Sequence, residues 1–318
     1  MATRQAIVIP PQGGRYLSWL DAPVEYLAVG DDTADRYAFS RAVCGGRSEP
    51  TPHRHAFDEG FYVLAGEVTF TAAGDSIVVP EGAFINIRGG ATHTFRNSGA
   101  TRAELLIVVA PAGFERFQFE VGEGMVEPEE TLIMFGKEQR RAMEKLAPKY
   151  HVELDPPDDA PQPSPPYKMV WPREGKTIAV VGDKYRFLVE GEDTDGKYAI
   201  WHATVEPGGG PPPHLQTRED EAFYVLRGEI AFTADGQRHV AGGGTFVHVP
   251  ANSPHQFKND TEQPAEMLIL VAPAGMEKLF EQVGTLLDSP ADPTPHPTQE
   301  QYNKLKELAP EFGIELKV

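Results

Sequence analysis

The sequence predicts an all-β fold of two tandem β-barrels, each followed by a C-terminal helix, and three observations carry that prediction. The chain repeats itself: TPHRHAFDEGFYVLAG at 51–66 returns as PPHLQTREDEAFYVLRG at 212–228, and APAG at 110–113 returns at 272–275. EKLAPKYHVEL ending at Leu154 likewise parallels KELAPEFGIEL ending at Leu316. Between these landmarks the apolar segments are short and rich in β-branched and aromatic residues, which is the composition of strands. Helical spacing of apolar residues is confined to the tail of each copy. A period of about 160 residues is too long for a solenoid unit and suits a whole domain.

In chain order, Asp32, Thr33 and Tyr37 lead into the first copy and are answered by Asp193, Thr194 and Tyr198 in the second. YAFSRAV at 37–43, GFYVLAGEVTF at 60–70, DSIVVP at 75–80, FINIR at 84–88, HTFRN at 93–97 and AELLIVVAP at 103–111 read as strands, separated by Gly, Pro, Asn and Asp. Gly66 and Gly82, with Gly228 and Gly244, fall at strand ends where a turn calls for positive φ. KEQRRAMEKLAP at 137–148 and TQEQYNKLKELAP at 298–310 space their apolar residues as helices do and stop at Ala-Pro. DPPDDAPQPSPP at 155–166 has no apolar period and enough proline to stay extended, so the domains are drawn as 1–154 and 167–318 with a linker at 155–166.

With 40% hydrophobic residues the chain can bury two cores, yet no apolar run approaches the roughly 20 residues of a membrane span. The opening MATRQAIVIPPQGG lacks a basic region followed by a long apolar stretch, so no secretory signal is expected. A single cysteine, Cys44, rules out an internal disulfide and points to the cytoplasm. The net charge of −18 argues against a nucleic-acid partner, because phosphate binding needs clustered Lys and Arg. The glycine runs at 208–210 and 242–244 read as turns, since no Lys-Ser or Lys-Thr follows them. His151, His202, His239, His248 and His296 are assigned packing or surface roles.

The chemistry follows from alternation. Residues two apart on a strand share a face, so His53 and His55 point inward together, and Glu59, Phe61 and Val63 line the same interior. His93 follows Glu59 by 34 residues, enough chain to return to that cavity, and His255 follows Glu221 by the same interval. Three imidazoles and one carboxylate suit Fe, Mn, Co, Ni, Cu or Zn as a divalent ion. Without a cation, four such groups in one barrel would be costly to bury. In the second copy His214, Glu221 and His255 persist, with Gln216 where the second histidine would stand. A neutral amide oxygen is a weaker donor than imidazole, so this site is expected to bind metal less tightly.

These residues resemble the cupin family, whose two motifs are GxxxxxHxHxxxxExxxxxxG and GxxxxxPxGxxHxxxN. The first copy supplies His53, His55, Glu59 and Gly66, then Gly82, Gly90, His93 and Asn97, with Arg88 in place of the proline. The second supplies Gly208, His214, Glu221 and Gly228, then Gly244, Pro250, His255 and Asn259, with Asn252 in place of a glycine. The resemblance implies two jelly-roll β-barrels with metal ligands His53, His55, Glu59 and His93 in the first and His214, Gln216, Glu221 and His255 in the second. Among two-domain cupins the length, the FYVLxG strand and the LAPxYxxxL tail look most like the quercetin 2,3-dioxygenase group. That likeness implies cleavage of a flavonol or related enolic aromatic with O2, with Glu59 as both ligand and base, a role that asks for a raised carboxylate pKa. Phe39, Phe61, Phe84 and Phe95 are then candidate cavity walls, and Arg41 or Arg88 candidates to meet a substrate oxygen. A homodimer is an expectation of the same kind. An oxalate decarboxylase, another metal-dependent isomerase or oxygenase of small metabolites, and a noncatalytic storage or ligand-sensing cupin stand as alternatives.

Overall fold

Left-handed glycines punctuate both halves of the chain. Gly66 (φ +79°) and Gly228 (φ +82°) each split what reads as one long strand into two, Asp58–Ala65 and Glu67–Ala72 in the first half, Asp220–Arg227 and Glu229–Ala234 in the second. A side chain at either glycine would crowd the backbone of the neighbouring strand at Ala103 or Ala265, so the turn requires the missing Cβ twice over. The computed structural model describes residues 4–20, 22–45, 49–122 and 136–317.

The first unit runs from Gly14 to Pro172. One antiparallel sheet is ordered Tyr167–Val170, Phe84–Ile87, Asp58–Ala65, Ala103–Ala110, Ala38–Cys44, Ala22–Ala28 and Arg15–Trp19. The other is ordered Glu153–Leu154, His53–Arg54, His93–Asn97, Glu67–Ala72 and Asp75–Pro80. A core of Phe61, Val63, Phe70, Ile85, Ile87 and Leu105 fills the space inside. The second unit repeats this plan, with an inner strand Ala199–Val205 beside Ala265–Ala272 and the short sheet carrying His214–Gln216 and His255–Lys258. The matched residues Thr33 and Thr194 close matched turns, each hydroxyl donating to the carbonyl of Tyr37 or Tyr198 at 2.6 Å.

The tail helices lie at Lys137–Leu146 and Gln299–Leu308, and at Ala-Pro both tighten into a 3₁₀ turn. Each half also has a helix that the sequence reading passed over, Phe114–Val121 directly after the first APAG and Glu277–Val283 one residue beyond the second.

The domain boundaries differ from those drawn at 1–154, 155–166 and 167–318. Residues 155–166 belong to the first unit: Asp155 N donates to Pro52 O, Thr92 N to Gln162 Oε1, and Arg88 N to Pro166 O. Tyr167–Val170 then pairs antiparallel with Phe84–Ile87, which carries the first unit to Pro172. At the other end, Ile7–Ile9 pairs with Phe246–Val249 and Arg4 bonds Asp220, placing residues 4–13 in the second unit. Proline keeps a segment extended, and an extended segment next to an open strand edge finds ladder partners. Among the described residues, no helix is long and apolar enough to cross a membrane.

Candidate metal centres and their cavities

Strand pairing brings the first cluster together. His53 stands opposite His93 in the short sheet, while Glu59 faces Ile87 and Val109 in the long one. One donor atom from each of His53, His55, Glu59 and His93 falls within 4.8 Å of the others, and all four residues are buried.

The tautomers are fixed by the backbone. His53 Nδ1 lies 2.9 Å from Thr51 O, His55 Nδ1 3.0 Å from Phe57 O, and His93 Nδ1 2.9 Å from Ala91 O. A carbonyl only accepts, so each Nδ1 carries the proton and each Nε2 is turned to the cluster. His55 Nε2 is buried without a hydrogen-bond partner, 3.5 Å from Glu59 Oε2. His93 Nε2 approaches Glu59 Oε2 to 2.9 Å. Burial, followed by the charges of His93 and His55, pushes the His53 pKa down to about 3, leaving it a neutral ring. An orphaned imidazole nitrogen beside two braced rings and a carboxylate is a donor set that fits a divalent transition metal.

The Glu59 pKa departs from the expected direction. Burial does push it up, but the charges and hydrogen bonds of His55 and His93 outweigh burial and hold the carboxyl well below the ordinary range. Cys44 adds no thiolate, since burial raises its pKa to about 12.

Next to the cluster lies a cavity of about 80 Å³, lined by His53 and Glu59 and walled by Trp19, Phe61, Phe95, Phe114 and Phe117. Phe114 covers the imidazoles, stacked with His53 and 4.8 Å from the His55 ring. The polar part of the cavity lining includes Ser40, Thr51, Glu115 and Tyr26, whose hydroxyl donates to Gln118 Oε1 at 2.5 Å. No Lys or Arg appears among the described lining residues.

Of the six candidate substrate contacts, Phe61 and Phe95 line this cavity; Phe39, Arg41, Phe84 and Arg88 do not. Parity is the reason. Ala38, Ser40, Ala42 and Cys44 line the cavity, so Phe39 and Arg41 fall on the other face, where Arg41 bonds Glu104 at 2.6 Å. Ile85 and Ile87 take the inner positions of their strand, which turns Phe84 and Arg88 away. Trp19, Tyr26, Phe114, Phe117 and Gln118 are lining residues that motif reading missed. The spacing of Phe114, Phe117, Gln118 and Val121 is helical, and that signal was available.

The second cluster joins His214, Glu221 and His255 within the same 4.8 Å limit. Here too each Nδ1 is braced, by Pro212 O at 3.0 Å and Ser253 O at 2.9 Å. Burial and the charge of His255 push the His214 pKa down to about 4. Burial works against the His255 imidazolium, but Glu221 at 3.0 Å outweighs it and the pKa lies above the ordinary value. Gln216 enters as a donor: its Nε2 reaches Glu221 Oε2 at 2.8 Å and Met276 Sδ at 3.3 Å, while its Oε1 is buried without a partner. Which end of the amide faces Glu221 is assigned from these contacts, and only the oxygen could ligate a metal. Both clusters are metal-binding sites for a divalent ion.

Comparison with known proteins agrees with this geometry. A family model described as "Cupin domain" matches residues 43–109 and 201–271. Quercetin 2,3-dioxygenase of Bacillus subtilis is 23% identical over 287 residues, covering 86% of this chain and 84% of its own. Among solved structures, a mutant of the oxalate decarboxylase of Bacillus subtilis superposes with a TM-score of 0.56 at 17% identity, covering 86% of this chain and 79% of that one. The oxalate decarboxylase of Lactobacillus farciminis, as a formate complex, gives 0.56 at 14% identity over 88% and 90% of the two chains. At such identities the structural likeness speaks to the fold alone.

Proposed function

Because this chain belongs to the cupin family, as two cupin domains in tandem with buried metal sites, we propose that it is a cytoplasmic metal-dependent dioxygenase that cleaves a flavonol or related enolic aromatic with O2 in its first barrel. The ligands there are His53, His55, Glu59 and His93. One observation carries the reading: the cavity beside this cluster is walled by aromatic rings, and no Lys or Arg is among its described lining residues. A flat aromatic suits such walls, whereas a small dianion such as oxalate would meet a bound metal there but no Lys or Arg among the described lining residues to offset its lost hydration.

When bound, the metal supplies Lewis-acid polarisation of a substrate oxygen and a template for dioxygen. The chain does the rest. Phe61, Phe95 and Phe114 hold the ring system and keep water out. Glu59, directed at the cluster, takes the proton of the substrate hydroxyl even though His55 and His93 hold its pKa low, because a bound metal would make that hydroxyl more acidic. Backbone carbonyls at Thr51, Phe57 and Ala91 keep the three imidazoles from turning during that transfer.

The test is oxygen uptake by metal-loaded protein supplied with a flavonol, followed together with loss of flavonol absorbance. One O2 consumed per flavonol lost is the expected result. Carbon dioxide released from oxalate, with no O2 consumed on any enolic aromatic, would replace this reading by a decarboxylase.

A further inference from the structure

Some polar groups of the first cavity belong to the frame that both barrels share, and others do not. Glu115 is buried and accepts from Gly30 N at 3.2 Å and Gly113 N at 2.6 Å; in the second unit Glu277 accepts from Gly191 N at 3.1 Å and Gly275 N at 2.7 Å. That carboxyl is part of the frame. Tyr26, Ser40 and Gln118 are not, because the second unit has other residues at their places. Tyr26 pairs with Ser40 as Phe187 pairs with Trp201, and Gln118 and Phe280 stand at the same distance along the chain from Gly113 and Gly275. Aromatic rings fill all three positions there, with Phe187 and Phe280 packed on the indole at centroid distances of 5.7 and 5.2 Å. The same frame closes without a hydroxyl or an amide, so folding does not require them.

Tyr26, Ser40 and Gln118 all line the first cavity. Burial, and after it the charges of Glu115 and Glu59, raise the Tyr26 pKa, so the phenol keeps its proton. That proton goes to Gln118 Oε1, which leaves an accepting lone pair on the Tyr26 oxygen and N–H donors on the Gln118 amide. Turning the amide over exchanges the roles and leaves the Tyr26 O–H and the amide oxygen instead. Either way the pair presents one donor and one acceptor side by side. A hydroxyl answers both through a single atom, whereas a ketone or a methyl ether only accepts. The sheet sets where that hydroxyl sits. The strand of Tyr26 lies three places from the strand of Glu59, on the order of 14 Å along the sheet, so the group met there is at the end of an occupant remote from the metal cluster.

We propose that Tyr26 and Gln118 select the substrate of the first barrel: an aromatic that carries, remote from its metal-binding oxygen, a phenolic hydroxyl donating to one member of the pair and accepting from the other. This rests on the reading of that barrel as a site for flavonols or related enolic aromatics, and it concerns binding, whatever chemistry follows.

The parent 3-hydroxyflavone bears no second hydroxyl. The test compares it with its 4′-hydroxy and 7-hydroxy derivatives and with the methyl ether of each, titrated anaerobically into the metal-loaded full chain and followed by flavonol fluorescence. One hydroxy compound should bind about tenfold more tightly than both the parent and its own ether, the worth of about one hydrogen bond. Tyr26→Phe and Gln118→Leu should each close most of that gap by weakening the hydroxy compound alone, with metal content unchanged. Three outcomes overturn the proposal: equal affinity for hydroxy compound, ether and parent; a gap that survives both variants; or variants that weaken every compound alike, as a merely structural role would. O2 uptake separates the pair from the reaction. Turnover without a hydroxyl preference refutes the pair and leaves the dioxygenase, a preference without O2 uptake does the reverse, and binding of none of the compounds refutes both.

Discussion

Asp183 is a buried carboxyl whose surroundings make the stability of the second barrel depend on pH. It is 2% exposed and accepts from Glu206 N at 3.2 Å and Gly210 N at 2.8 Å. Burial raises its pKa and outweighs those two hydrogen bonds, and the Glu206 charge adds to the rise, bringing it from 3.8 to about 7. Because the folded value lies above the unfolded one, the group's contribution is complete below pH 3.8 and is lost as pH rises through 7. Worked through linkage, that is about 4 kcal/mol in all, of which about 2–3 kcal/mol disappears between roughly pH 5 and 8.

The first barrel supplies the control. Asp183 pairs with Val180 in its hairpin, and the matching pair in the first barrel is Ala22 with Trp19, with no carboxyl. Hydrogen exchange resolved to individual strands, run from pH 5 to pH 8 and corrected for intrinsic rates, should show the second barrel losing protection relative to the first. Asp183→Asn should abolish that slope. It should also lower stability at pH 5 by about 1–3 kcal/mol, because an amide cannot accept from both backbone donors as a carboxyl can. A variant that keeps the full slope would show that Asp183 is not the titrating group.

Replacing His55 with Ala should strip the first cluster of most of its metal, a loss beyond the roughly 10–100-fold expected when only an outer partner is removed, whereas Gln216→Ala should leave that cluster's metal and turnover nearly unchanged; elemental analysis and O2 uptake decide, and equal losses would mean that the barrels act together. Gln216→His should raise metal affinity at the second cluster but leave it about 10–100-fold weaker than the first, as measured by competition with a chelator, because the new ring would lack a carbonyl brace. A fragment spanning 14–172 should be soluble and resist urea better than 14–154, which lacks the strand Tyr167–Val170 and bares Phe84–Ile87; equal stability would show that the added strand is incidental.

The residues of the two clusters were legible in the sequence because alternation and a fixed interval do not depend on tertiary detail: two residues apart means one face, in any strand. Phe39, Arg41, Phe84 and Arg88 misled because they were chosen by residue type, when the parity that excludes them was available from Ile85 and Ile87. Tyr26 and Gln118 carry no motif, and only pairing across strands and the docking of a short helix bring them to the cavity. The edge strands Ile7–Ile9 and Tyr167–Val170 are too short to show a period, so their pairing with Phe246–Val249 and Phe84–Ile87 was beyond sequence reading.

Why an amide can stand at 216 where the first barrel has an imidazole follows from where the braces come from. His53, His93, His214 and His255 are each held by the carbonyl two residues before them, but His55 is held by Phe57, two residues after. Three residues separate His55 from Glu59, and four separate Gln216 from Glu221, so the extra residue falls in the very loop that supplies the brace. That loop is committed elsewhere: Thr217 N donates to Gly313 O at 2.8 Å, and Arg218 Nη2 to Glu311 O at 3.0 Å. Glutamine needs no carbonyl behind it, because Glu221 and Met276 hold its amide directly. Ligand type and loop length thus differ together between the two barrels.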